Sequence, residues 1–204
     1  MRGAALLGAA ALGSAATAAT FLLATPRPPA QTSADVRFLR DMRAHHAQAV
    51  EMSVTLLKRA VDADVRLLAQ DITLTQQAQI GQMSGWLSAW GHPVAGAQPP
   101  MQGMNRAEMG LASDRDVRAL EARPIQDATR QYLLLMRAHH LGGVAMANTA
   151  LTTTRSPLVR TFARNVVTSQ TAEVRAIDVL LLARHVTPPA TPAVPAEMGD
   201  MDHG

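Results

Sequence analysis

The feature that most constrains this chain is an internal repeat: adding 94 to a residue number in the first half lands, without a gap, on a matching residue in the second. Met42-Arg43-Ala44-His45-His46 returns as Met136-Arg137-Ala138-His139-His140, with Phe38 matched to Tyr132, Leu39 to Leu133, Val50 to Val144 and Met52 to Met146. The register continues through Val65 with Val159, Arg66 with Arg160, Ala69 with Ala163, Gln76 with Gln170, Gln79 with Glu173 and Leu87 with Leu181. A gapless repeat of this extent marks a duplicated supersecondary unit, and a unit that leaves one apolar face open is completed by its own copy.

Each unit reads as a helical hairpin. In the first, Ser33 and Asp35 offer N-caps for a helix running to about Ala60. Asp62 or Ala63-Asp64 then opens a second helix, whose apolar positions Val65, Leu68, Ile72, Met83 and Leu87 keep helical spacing until Gly91 and Pro93 stop it. His92 to Ala112 is rich in Pro, Gly, Gln and Met and reads as a loop, followed by a short helix after Ser113 with Asp116 at its capping-box position. A third long helix covers about Ile125 to Thr153, Arg155-Ser156-Pro157 interrupts, and a fourth runs to about His185. The expected fold is all-α: a ferritin-like four-helix bundle within residues 35–185, built from repeats 35–91 and 129–185. The long crossover permits the second and third long helices to run parallel.

Composition supports helices and excludes several functions. Ala, Leu and Val dominate, while the aromatics are three Phe, two Trp and one Tyr. The absence of cysteine removes disulfides, thiolate catalysis, zinc fingers and iron–sulfur clusters, so a soft metal would have to use Met and His. Lys58 is the only lysine, the arginines alternate with acidic residues, and the formal charge is +3. No basic stretch carries interleaved aromatics, so nucleic acid is discounted as a partner.

Residues 1–24 read as a signal peptide or an N-terminal anchor. Arg2 precedes an uncharged run from Gly3 to Ala24, in which Ala16-Thr17-Ala18 is a small-x-small cleavage site. The same run, residues 3–24, is about long enough to stay in a membrane at ~20 residues. Either reading makes the protein extracytoplasmic: periplasmic, held in the cell envelope, or secreted. Residues 25–34 form a Pro-rich spacer, and 186–204 read as a disordered tail.

The repeated motif has the spacing of a metal site. At about 100° per residue, Met42, His45, His46, Ala49 and Met52 fall on one helix face about 120° wide, shared with Leu39 and Leu56 and therefore turned inward. Met136, His139, His140 and Met146 repeat the face, with Gly143 in place of Ala49, and small residues there would leave room beside the imidazoles. Carboxylate di-iron bundles place Glu-x-x-His here; in this chain Met stands where Glu would. Thioether and imidazole together are a soft, uncharged donor set that selects copper, Cu(I) above all. A single inward Met or His is ordinarily packing, but four histidines in two Met-bracketed pairs would be costly to bury without partners. Adjacent histidines point about 100° apart, so one of each pair is the stronger candidate for direct ligation. Met101, Met104 and Met109 in the crossover read equally as an apolar plug or as metal contacts. Met198, Met201 and His203 in the tail read equally as an auxiliary soft-metal hook or as an accidental feature of a Pro-rich tail.

These residues resemble a bacterial family of unknown function that carries duplicated Met-x-x-His-His-x-x-Ala-x-x-Met helices and is grouped with ferritin-like folds. The resemblance covers about Asp35 to His185 and rests on Met42, His45, His46, Ala49 and Met52, then Met136, His139, His140 and Met146. Gln76-Gln77-Ala78-Gln79-Ile80 and Gln170-Thr171-Ala172-Glu173-Val174 are similar to the family's Gln-x-x-Glu segments, with Gln79 departing from Glu. Some members are described as periplasmic or secreted copper-binding proteins, so the resemblance implies an exported protein with copper ions as its partner; the Met and His donors themselves point to a non-enzymatic role in metal homeostasis.

Two other classes are compatible with the sequence. One is a structural or interaction bundle in which the histidines form a buried polar layer. The other is a ferritin-like metal-dependent oxidase, disfavoured because no inward carboxylate repeats in both halves.

Overall fold

The computed structural model describes residues 27–59 and 61–191. The chain divides into the units Met1–Ala30 and Gln31–Gly204, and the helices lie in the second. They are α1 (Ala34–Leu57), α2 (Ala63–Ala89), α3 (Asp114–Ala122), α4 (Ile125–Thr153) and α5 (Pro157–Leu182); no strand occurs among the described residues. None of these helices is long and apolar enough to cross a membrane, and residues 3–24 lie outside the described residues.

Local chemistry sets the boundaries. Ser33 caps α1 by accepting from the Val36 amide at 3.2 Å. In α3 the Ser113 hydroxyl accepts from the Asp116 amide at 3.1 Å and donates to its carboxylate at 2.6 Å. Gly91, with φ of +73°, ends α2 as the His92 amide reaches back to the Leu87 carbonyl at 2.8 Å. Pro157 stands in the first turn of α5, where it forfeits no helical bond.

α1 packs on α2 and α4 on α5, and the two hairpins meet through α1 and α4. Those helices run antiparallel. Asp35 at the start of α1 accepts from the Ser156 amide just beyond α4 at 2.8 Å, while Ser53 near the end of α1 bonds Tyr132 near the start of α4 at 2.9 Å. Hairpin geometry then makes α2 and α4 parallel, the connectivity expected from the long crossover. At one end, Arg184 after α5 bonds Asp62 at 3.0 Å and Asp64 at 2.8 Å.

The core is interrupted. One buried cluster includes Met52, Leu56, Ile72, Tyr132, Met136 and Ile177; another includes Leu39, Met42, Met83, Leu87, Met146 and Phe162. On every long helix the switch from one cluster to the other falls at polar residues: His45 and His46 on α1, Gln76 on α2, His139 and His140 on α4, Gln170 on α5. A polar layer of four imidazoles and two carboxamides therefore divides the bundle. Of the 186–204 segment, residues 186–191 are described and lie against the bundle: Val186 packs on the first cluster, and the Thr191 hydroxyl accepts from Arg137 at 2.9 Å.

Candidate metal centre

The four histidines are fully buried. His45 and His139, equivalent positions of the repeat, stack at the α1–α4 contact with ring centroids 3.7 Å apart and planes inclined by 29°. His46 and His140 turn toward the outer helix of their own hairpin. Their centroids lie 6.4 Å and 6.1 Å from those of His45 and His139.

Every imidazole is tethered through the same atom. Nε2 of His46 donates to Gln79 Oε1 and Nε2 of His140 to Glu173 Oε2, both at 2.7 Å. Nε2 of His45 donates to the Met109 carbonyl at 3.0 Å, and Nε2 of His139 to the His45 carbonyl at 2.9 Å. Oxygens of these kinds only accept, so the ring hydrogen sits on Nε2 and Nδ1 keeps a bare lone pair. All four Nδ1 atoms are buried and without a hydrogen-bond partner, as are both amide atoms of Gln76 and Gln170.

Burial also favours the neutral form of three of the rings. It lowers the pKa of His45 to about 4, against the opposing effect of its Met109 bond. It lowers His46 to about 3, aided by repulsion from His45. His139 falls well below the ordinary value through burial and the three neighbouring histidines. Neutral rings with free Nδ1 lone pairs are ligands that need shed no proton.

The methionines flank the layer in pairs drawn from opposite halves. Met42 and Met146 belong to one cluster, Met52 and Met136 to the other. Met42, Met52 and Met136 are fully buried, and Met146 is 8% exposed. Among the described residues no group of three or more His, Asp or Glu side chains is placed to hold a metal ion. A complete donor set would therefore combine imidazole with thioether. Met198, Met201 and His203 lie outside the described residues.

The space beside the imidazoles departs from expectation. A Cβ at Gly143 would stand 2.2 Å from Gln170 Oε1 and 3.2 Å from His45 Cε1, so the missing side chain admits the Gln170 carboxamide rather than leaving room. The crossover is also more than a plug. Met109 is 6% exposed, and Gly110, with φ of +63°, and Gly142 let loop and α4 backbones touch. The roles of Glu173, Gln79 and the Met109 carbonyl were missed as tethers. The 33-residue interval that separates each His–Gln or His–Glu pair in both halves is the signal that could have found the first two.

Two antiparallel hairpins closing on a buried His layer flanked by Met pairs define a duplicated helical bundle with the donors of a soft-metal site. The chain belongs to the DUF305 family, a domain of unknown function whose model matches residues 35–181. It is similar to a DUF305 protein from Streptomyces coelicolor described as a candidate secreted protein, at 40% identity and a TM-score of 0.73, over 79% of this chain and 99% of that one. It is similar to a DUF305 fragment from Deinococcus radiodurans at 38% identity and a TM-score of 0.68, over 76% and 99%. CopM in its Cu(I)-bound form is 25% identical with a TM-score of 0.60, over 73% and 96%; CopM has also been solved bound to Cu(II). No curated protein matches the chain.

Proposed function

We propose that this chain is an exported, non-enzymatic copper-binding protein that holds Cu(I) in its His–Met layer for copper buffering, trafficking or resistance outside the cytoplasm. One observation carries the reading: four buried imidazoles, each held by a hydrogen bond at Nε2, each with an unpartnered Nδ1. A purely structural polar layer would be expected to satisfy those nitrogens, whereas a tether that fixes ring orientation and leaves the opposite nitrogen bare is the usual arrangement behind a metal-bound histidine. The adjoining thioethers make the donor set soft, which favours Cu(I). The copper-bound forms of CopM support the same reading, and the Streptomyces coelicolor relative supports export.

His45, His46, His139 and His140 would supply imidazole nitrogen. Met42, Met52, Met136 and Met146 would supply sulfur, and neutral ligands would hold a monovalent ion without accumulating buried negative charge. Competition with a chromophoric Cu(I) chelator tests the assignment. The His45→Ala/His139→Ala variant is expected to lose most of the binding shown by the native chain, and equal competition by the two would refute the ligand set. The other reading, a structural layer, draws on the four Nε2 bonds, which by themselves stabilise the core. It requires the same melting temperature with and without stoichiometric Cu(I), whereas a specific ligand raises it.

A further inference from the structure

A cleft of about 560 Å³ opens between α1, α4 and the crossover, and its lining includes Met109, whose carbonyl holds His45 of the polar layer, and Gly142, two residues from His140. Three of its lining residues carry thioethers, one exposed and two buried: Met104 is 41% exposed, Met146 8% and Met109 6%. Met104 is thus among the few large apolar side chains left in solvent, although it sits beside a cleft that could cover it. At the inner end the Met109 carbonyl holds His45 at 3.0 Å, and Met146 shares a cluster with the fully buried Met42. Asp41 and Glu108 also line the cleft, with Arg37 as the basic residue among them.

We infer that this cleft is the vestibule through which a soft monovalent cation reaches the buried layer, handed from Met104 to Met109 and Met146 before the imidazoles capture it. The inference rests on the copper-binding reading above. Thioethers are soft, uncharged ligands for such a cation, so an exposed one beside two buried ones offers it successive footholds on the way in. Phe38, Ala145 and Ala150 add apolar wall between the thioethers.

Stopped-flow loading of the full chain with Cu(I) delivered from a chromophoric chelator, repeated with Ag(I), tests this. Met104→Leu keeps the apolar volume and removes the sulfur. It is expected to slow loading about tenfold while leaving the equilibrium end point unchanged. Met101→Leu, in the same crossover but outside the cleft lining, is expected to load at the native rate. Native-rate loading by Met104→Leu, or equal slowing by Met101→Leu, would overturn the vestibule while leaving the buried site intact. Absence of uptake by the native chain would instead overturn the copper-binding reading, and the vestibule with it.

Discussion

Replacing Gly142 by alanine isolates what the crossover contributes to the site. Within a helix the exchange ordinarily stabilises by about 0.5–1 kcal/mol, because glycine loses more backbone freedom on folding. Here the new Cβ would stand 1.9 Å from the Met109 carbonyl oxygen, 2.1 Å from its carbon and 2.7 Å from its Cα. Those atoms are backbone and cannot rotate away, so the crossover has to retreat until ordinary contact is restored. Its retreat takes the Met109 oxygen off His45 Nε2, a bond of 3.0 Å. Leaving that buried donor unpaired costs about 1–3 kcal/mol. The repacking strain costs a further ~1–3 kcal/mol. Net of the helical gain, Gly142→Ala is expected to destabilise by about 1–5 kcal/mol, lowering the melting temperature by roughly 2–20 °C for a domain of this size. Gly81→Ala and Gly85→Ala, on α2 with nothing within 4 Å of the added carbon, are the controls and are expected to stabilise slightly. Urea unfolding followed by circular dichroism measures all three. A Gly142→Ala chain as stable as the controls would refute the claim that the crossover is seated on α4 through this contact.

Acid is expected to unfold the metal-free protein early. His45 and His46 have folded-state pKa values of about 4 and 3, and His139 is also depressed, so the unfolded chain binds more protons below its ordinary histidine value. The stability these rings contribute is complete above pH ~6.5 and lost as pH falls, by about 2 kcal/mol each for His45 and His46 at pH ~5. Flat unfolding free energy between those pH values would contradict the buried neutral layer. Glu173→Gln is expected to weaken the His140 half about tenfold in Cu(I) affinity, and Gln79→Glu to strengthen the His46 half, because a carboxylate behind an imidazole raises its donor strength. Chelator competition resolves the two halves, and no change from either exchange would refute unequal tethering.

Much of this architecture was legible because the repeat, the capping residues and the Pro and Gly stops are local signals. The limits of α4 and the capping box of α3 follow from short-range chemistry that does not wait for tertiary contacts. The inward face of the motif was legible for the same reason: helical periodicity places Met42, His45, His46 and Met52 together whatever they pack against. What periodicity could not supply is the partner across an interface. The stacking of His45 on His139, and the pairing of Met42 with the cluster of Met146 rather than with Met136, depend on where two antiparallel helices cross. The Met109 carbonyl is a backbone group in an irregular loop, and no side-chain pattern reports where such a group will point.

The departures from the repeat are concentrated where the fold itself breaks symmetry. Two hairpins can be related by a twofold axis, but one crossover cannot, because it passes only one side of the bundle. On α1, Arg40 donates to the Pro93 carbonyl at 2.8 Å, Asp41 accepts from the Met101 amide at 2.7 Å, and Gln48 brackets Ala112 with bonds of 3.0 Å and 2.9 Å. Their counterparts on α4 are Leu134, Leu135 and Gly142, two apolar residues that pack on the core and one glycine that admits the loop. The stacked imidazoles inherit the difference: His45 is held by the crossover, whereas His139 is held by the backbone of His45 itself. Displacing the crossover would therefore free His45 first and leave the anchor of His139 in place. A duplicated site with one movable tether is chemically unequal even where its ligands are identical, and Gln79 opposite Glu173 extends that inequality to the second pair.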